Sequence, residues 1–224
     1  MDRRLVLRLG LVGLDLGLLI GGLYMVLVYV PTAKDMGVVQ RIFYLHVPLA
    51  WVGFLAFFVV FVGSIMYLWR RGRHWDIIAH SSSEIGMVFI TLMLVSGSIW
   101  AKAAWGAWWI WEPRLTSSLV LWLIYIAYIL VRSLTPEVER GARFAAVVGV
   151  VGFVDVPIVV LAVTLWRTHH SSLIIFEGGV APAMMATLMV CLVAFTILYA
   201  LLLMQMAAIR RDEEELARLR VILR

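Results

Sequence analysis

The sequence predicts an all-α polytopic membrane protein of six transmembrane helices with both termini in the cytoplasm. Apolar residues make up 63% of the 224 residues and charged residues only 15%, whereas a soluble domain is about half apolar and about a quarter charged. A helix needs about 20 apolar residues to span a bilayer. The sequence contains six such stretches, and the connections between them are short. Residues 1–224 are therefore expected to form one membrane domain in contact with lipid. The six stretches lie at roughly 10–30, 47–69, 84–101, 117–134, 144–165 and 183–208.

The distribution of basic residues predicts which side of the membrane each connection faces. With the N-terminus inside, fourteen of the 19 lysines and arginines lie at inner helix ends or in inner connections, and five lie outside. Such an excess is the positive-inside pattern of a membrane protein. Because topology explains the net charge of +5, we exclude nucleic-acid binding. The tail at 209–224 is expected to be a cytoplasmic helical extension.

The first predicted helix carries an acidic residue, Asp15, within its apolar stretch. A carboxylate inside a span is a candidate functional group. The spacing of nearby glycines instead favours close packing against another helix, with Asp15 facing protein. We favour this packing role. The glycines are Gly13, Gly17, Gly21 and Gly22.

The second helix is expected to begin near Pro48, because a proline fits the first turn of a helix, where its missing N–H costs nothing. This places His46 at the outer mouth of the helix, at the boundary between membrane and water. Taken alone, a histidine in such a place is more often a hydrogen-bonded surface residue than a ligand. The arginine-rich turn at 70–73 marks the cytoplasmic end, and the third helix is expected to begin near Glu84.

An outer loop at 101–117, between the third and fourth helices, concentrates aromatic residues. Four of the ten tryptophans fall within seven residues. Tryptophans at a membrane surface usually form a belt spread over many helix ends. Because these four share one loop, we favour a binding platform for something large, flat and partly apolar. Pro113 can open the fourth helix. If the segment before it is helical, one stripe results, formed by Trp105, Trp108, Trp109 and Glu112.

The fifth helix contains the sequence Val-Asp-Val-Pro at 154–157, close to its middle. The proline is expected to kink the helix and free a carbonyl, while Asp155 can satisfy neighbouring donors. We therefore favour a hinge over a proton relay. The last outer loop contains the adjacent residues His169 and His170. Adjacent histidines do not easily serve one metal from a shared face, so at most one is expected to be a primary ligand.

The predicted topology places His46, the tryptophan-rich loop and the two loop histidines on the same outer side. Histidine is a good ligand for haem iron, which accepts one axial ligand on each face. A porphyrin is flat and apolar, so indoles can cover it, and arginine offers two parallel donors to each propionate. Zinc is a weaker fit, because no carboxylate–histidine cluster has suitable spacing. The candidates for propionate binding are Arg41, Lys102, Arg114 and Arg167.

The tryptophan-rich loop resembles the tryptophan-rich box of the haem-handling proteins of cytochrome c maturation. It reads Trp-Gly-Ala-Trp-Trp-Ile-Trp-Glu-Pro-Arg-Leu-Thr-Ser at 105–117. Its last four residues favour the heme exporter protein C family over that family's larger relatives. Tyr-Leu-His-Val-Pro at 44–48, Val-Asp-Val-Pro at 154–157, the six spans and the length also match. One departure is Glu112, where the family usually has Asp, which keeps the charge on a longer arm.

The resemblance implies a haem-delivery subunit in the bacterial inner membrane that presents haem at the periplasmic face to a membrane-anchored haem chaperone. It implies that His46 and His170 are the axial ligands of a transient, non-covalent b-type haem, and that His169 is not required. The implied partners are an ATP-binding-cassette subunit, a second membrane subunit and a small single-span subunit. The candidate haem-binding set is completed by Trp105, Trp108, Trp109, Trp111, Glu112, Arg114 and Arg41.

Two other functional classes are compatible with parts of this pattern. A subunit for electron transfer with permanently bound b-type haem would usually hold its histidines within facing spans, and no histidine lies at the middle of a predicted span. A scaffold with an aromatic belt would bind no haem. The sequence contains no Gly-x-x-x-x-Gly-Lys-Ser/Thr loop, so ATP hydrolysis must belong to a partner. We expect no enzymatic activity from this chain.

Overall fold

The computed structural model describes residues 3–33, 36–166 and 181–222, which are mostly helical. Because α5 and α6 are two halves of one interrupted span, six helical stretches in these ranges are long and apolar enough to cross a membrane. This confirms the predicted fold class. The helices are α1 (Arg3–Tyr24), α2 (Phe43–Arg70), α3 (Arg73–Trp105), α4 (Pro113–Leu134), α5 (Val138–Gly152), α6 (Asp155–Leu165) and α7 (Pro182–Ile222). A π-helical turn Met25–Tyr29 and a 3-10 turn Val38–Ile42 lie between α1 and α2.

Helices α2 and α3 form a tight antiparallel hairpin. Arg71 ends α2 in the left-handed conformation, with φ of 56° and its N–H bonded to the Tyr67 carbonyl. Small residues let the two helices approach closely, since a Cβ on Gly86 would lie 2.9 Å from the Cβ of Ala56. The main apolar core forms between this hairpin and its neighbours, where the Phe57 ring stacks on the Tyr125 ring of α4.

Two helices begin earlier than the sequence predicts. Helix α2 begins at Phe43 rather than near Pro48, which therefore lies inside the helix and not in its first turn. The extra turn is stabilised because Tyr44 is buried and its hydroxyl accepts a hydrogen bond of 3.1 Å from Gln40 Nε2. Helix α3 begins at Arg73 rather than near Glu84. Its polar first turns stay helical because they pair with side chains of other helices.

Helix α1 packs against α7. Asp15 is 3% exposed, so it faces protein, as predicted. A Cβ on Gly22 would lie 3.4 Å from Cys191 Sγ, which confirms close packing at that glycine. Among the described residues, nothing lies within 4 Å of a Cβ placed on Gly13, Gly17 or Gly21, so close packing is not observed at these three glycines within the chain.

The fifth span is interrupted between α5 and α6, immediately before Asp155. This confirms the predicted break in the helix, while the hinge itself stays a prediction. At the interruption, Phe153 stacks on Phe61 of α2 with ring centroids 4.6 Å apart. Helix α5 packs on both α2 and α4, and α6 packs on α4. Asp155 Oδ2 is buried without a hydrogen-bond partner in the described ranges. The sequence predicted that Asp155 would accept hydrogen bonds from neighbouring donors, and this oxygen accepts none from the described residues.

A cluster of ion pairs around the buried carboxylate of Asp76 joins three helices at the end of the bundle that the charge distribution assigns to the cytoplasm. Asp76 of α3 pairs with Arg73 and, at 2.5 Å, with Arg132 of α4. Arg73 also pairs with Glu214 of α7 at 2.5 Å. The inner part of α7 is therefore held to α3 and α4 by charge.

A second ion pair fixes α7 one turn closer to the membrane. Arg210 of α7 lies 2.5 Å from Glu84 of α3. On the opposite side of that carboxylate, His80 Nε2 lies 3.4 Å from Glu84. The residues at 73–84 are polar in sequence but paired in the fold, which explains why the helix continues through them.

Candidate functional site

A cleft lies between part of α6 and the ends of α2, α3 and α4 that the charge distribution predicts to face outward. Its empty space, including the part open to solvent, is about 840 Å³. Four residues singled out from the sequence line this cleft, namely His46, Trp105, Trp109 and Arg114. They come from three helices and one loop, so the fold brings together groups that are up to 68 residues apart in the numbering.

His46 lies in the first turn of α2 and packs against one turn of α3. Its Nδ1 is 3.1 Å from the hydroxyl oxygen of Ser96. The ring of Trp100 meets the imidazole edge-on, with centroids 5.8 Å apart. A Cβ on Gly97 would lie 2.9 Å from His46 Cε1, closer than real Cβ contacts come. The missing side chain at Gly97 therefore makes room for the imidazole.

The tryptophan-rich loop is only partly helical. Helix α3 continues to Trp105 and ends at Gly106, whose φ of 75° is left-handed and whose N–H bonds to the Lys102 carbonyl at 3.1 Å. Lys102 Nζ donates a 2.8 Å hydrogen bond to the Gly106 carbonyl. Helix α4 then starts with Pro113 in its first turn, as predicted. Because the residues between them are not helical, the conditional stripe of tryptophans and Glu112 does not form.

The four tryptophans of the loop have different surroundings. Trp105 and Trp109 line the cleft. The side chains of Trp108 and Trp111 are 60% and 74% exposed, and neither lines the cleft. The Trp111 ring contacts the Trp109 ring edge-on, with centroids 5.7 Å apart. Two of the four indoles therefore line the cleft, and the other two are exposed outside it.

Glu112 and Arg41 are not among the described residues that line the cleft. Glu112 is buried at the start of α4, where its carbonyl accepts the Thr116 N–H at 2.9 Å. Its carboxylate acts electrostatically on the guanidinium of Arg114, which does line the cleft. Arg41 lies in the 3-10 turn before α2, and its Nε is buried without a hydrogen-bond partner in the described ranges.

The predicted second histidine, His170, lies outside the described residues, as do His169 and Arg167. Within the ranges that are described, no group of three or more His, Cys, Asp or Glu side chains is placed to hold a metal ion.

Sequence reasoning missed Ser96, Gly97 and Trp100, which surround His46 on α3. The small residues Ser-Gly-Ser at 96–98, inside an otherwise bulky apolar stretch, were the available signal. Trp100 Nε1 and Trp109 Nε1 are both buried without a hydrogen-bond partner in the part of the chain that is described. Both residues line the cleft. Arg114, which also lines the cleft, supplies donors for a ligand that carries acceptor groups as well as apolar surface.

Comparison with known proteins gives a consistent family match. The family model described as Heme exporter protein C matches residues 4–220. The Heme exporter protein C of Bradyrhizobium diazoefficiens is 33% identical over 185 residues, which cover 81% of this chain and 70% of the relative. That of Escherichia coli K12 is 34% identical over 178 residues, covering 78% and 71%. A putative cytochrome c biosynthesis ccmC-like mitochondrial protein of Marchantia polymorpha is 29% identical over 157 residues, covering 70% and 66%.

Proposed function

The chain belongs to the heme exporter protein C family, and from this premise we propose that it holds haem in the outer cleft for delivery. The recipient would be a membrane-anchored haem chaperone of cytochrome c maturation, reached at the periplasmic face of the bacterial inner membrane. The observation that carries the proposal is the convergence of His46, Trp109 and Arg114 on one cleft. These groups match an iron, an aromatic plane and a propionate.

The residues of the cleft fit the chemistry of haem. When bound, haem supplies an iron that accepts an imidazole on each face, a flat apolar ring and two carboxylates. In this proposal His46 binds one face of the iron, and His170 binds the other. Trp105 and Trp109 cover the ring, while Arg114 receives a propionate in a charge-assisted hydrogen bond.

The remaining candidates have supporting roles in the proposal. Trp108 and Trp111 are exposed and would meet the haem chaperone or lipid rather than the ring plane. Glu112 would hold the charged Arg114 side chain through electrostatic attraction. Arg41 remains a candidate for the second propionate. The other proposed partners are an ATP-binding-cassette subunit, a second membrane subunit and a small single-span subunit, and ATP hydrolysis belongs to the first of these.

A haem titration followed by a transfer assay tests this function. The full chain, purified in detergent, is titrated with haem while the Soret absorbance is recorded, and the loaded protein is mixed with an apo haem chaperone of cytochrome c maturation. We expect saturable binding and loss of haem to the chaperone. Absence of a Soret change would contradict haem binding. Haem that binds but stays on the chain would instead favour the electron-transfer subunit.

The different exposure of the tryptophans gives a paired prediction. Trp109→Ala is expected to weaken haem binding by about 10- to 100-fold, because burial of a large side chain against a ligand contributes about 1.5–3 kcal/mol. Trp108→Ala removes the same side chain from a position that is 60% exposed and is expected to change the affinity less than about threefold. Both variants are measured by the same Soret titration. Equal losses in the two variants would refute the assignment of Trp109 to the cleft wall.

A further inference from the structure

We propose that Ser96 is a positioning residue that fixes the tautomer of His46, with the proton on Nδ1 and the lone pair on Nε2. The proposal concerns a contact between α2 and α3 that lies behind the ligand side of the imidazole. Its consequence for haem rests on the proposed function. The tautomer itself does not, because it is a property of the protein without haem.

The argument starts from the single proton of the Ser96 hydroxyl. Ser96 Oγ lies 3.1 Å from the Met93 carbonyl oxygen, which can only accept a hydrogen bond. We assign the hydroxyl proton to this bond along α3. The same Oγ lies 3.1 Å from His46 Nδ1. With its proton assigned to the Met93 carbonyl, Ser96 accepts from the imidazole, and Nδ1 carries the hydrogen.

A neutral imidazole has one N–H group, so a proton on Nδ1 places the lone pair on Nε2. An iron ligand must present such a lone pair. Ser96 is buried, and a buried hydrogen bond has no water to replace it without cost. The chain from His46 through Ser96 to Met93 thus selects Nε2 as the ligand atom.

The rest of the same turn of α3 fixes where the ring lies. The bare backbone at Gly97 sits against the imidazole, since a Cβ there would come within 2.9 Å of Cε1. Trp100 packs edge-on with a centroid distance of 5.8 Å. Ser96 therefore sets the protonation pattern, while Gly97 and Trp100 limit rotation of the ring. A hydrogen-bond partner such as Ser96 also raises the basicity of a ligating imidazole. The loss of such a partner typically lowers metal affinity by about 10- to 100-fold.

The tautomer is measured directly on the full chain without haem. The five histidines are labelled with ¹⁵N, and the His46 signals are assigned by their loss in His46→Ala. We expect the Nδ1–H form in the wild type, a mixture of the two tautomers in Ser96→Ala, and the wild-type form in Ser96→Thr, which keeps a hydroxyl. The matched control is Ser83→Ala, which removes another buried serine of α3 whose hydroxyl donates to the carbonyl three residues earlier, that of His80, at 2.8 Å.

The haem-loaded protein gives a second readout. Ser96→Ala is expected to weaken haem binding by about 10- to 100-fold and to raise the reduction potential, because a less basic imidazole stabilises ferric iron less. Ser96→Thr and Ser83→Ala should match the wild type in both. An Nε2–H tautomer in the wild type, or a Ser96→Ala protein with the wild-type tautomer, would overturn the inference. Failure of the wild type to bind haem would overturn the proposed function and leave the tautomer result standing.

Discussion

Replacing His46 with alanine is expected to reduce haem affinity by more than about 100-fold, the upper limit typical of losing a residue that only supports a metal ligand. The physical reason is the loss of the proposed iron ligand. Among the described residues, His46 is the histidine that lines the cleft. The measurement is a Soret titration of the full chain. A wild-type affinity and spectrum in His46→Ala would show that the iron ligand lies elsewhere.

Matched histidine variants make the first result specific. His74→Ala removes a histidine whose ring packs on Trp75 at the other end of α3, and its haem affinity is expected to equal that of the wild type. The two histidines of the last outer loop are compared with each other. His170→Ala is expected to behave like His46→Ala, and His169→Ala like the wild type. A larger loss in His169→Ala than in His170→Ala would exchange their assigned roles.

Replacing Asp76 with alanine is expected to lower the free energy of unfolding by about 3–5 kcal/mol, since removing one partner of a buried ion pair leaves uncompensated charge. Here two arginines lose their shared partner. The Asp76 side chain is 3% exposed and that of Arg132 is 10% exposed, so water cannot easily replace the carboxylate. The measurement is unfolding of the purified chain by denaturant or heat, followed by circular dichroism.

An exposed ion pair of the same chemistry provides the control for that experiment. Arg143 and Glu139 pair on one face of α5, with side chains that are 50% and 70% exposed. Glu139→Ala is expected to change the free energy of unfolding by less than about 1 kcal/mol, because surface pairs contribute little. If Asp76→Ala and Glu139→Ala unfold alike, the cluster around Asp76 does not hold the inner ends of the helices together.

The sequence was sufficient to predict six spans, since apolar length and positive-inside charge are local properties. The sequence predicted that α3 starts near Glu84, whereas the helix starts at Arg73. Hydropathy shows that the intervening residues are polar, but it does not show which side chains they pair with. Those partners, such as Arg132 and Glu214, are distant in the sequence. The helix start is thus decided by contacts that only the folded chain brings together.

The candidate site was predictable to the extent that residue type reveals chemistry. His46, Trp105, Trp109 and Arg114 were singled out from sequence and line one cleft. The difference between Trp109 and Trp108 was not predictable, because it depends on the helix ending at Gly106 and not continuing through the loop. The Ser96 contact was also hidden, since it joins two helices across 50 residues of sequence.

Gly97 restricts how the chain can evolve. A change from glycine to alanine is the smallest that can add a side chain, yet at this position it would place a carbon 2.9 Å from the His46 ring. A substitution at this residue is therefore coupled to His46 on another helix: an alanine fits only if the imidazole or the helix moves away. The two positions constrain each other by direct contact, although they lie 51 residues apart in the chain.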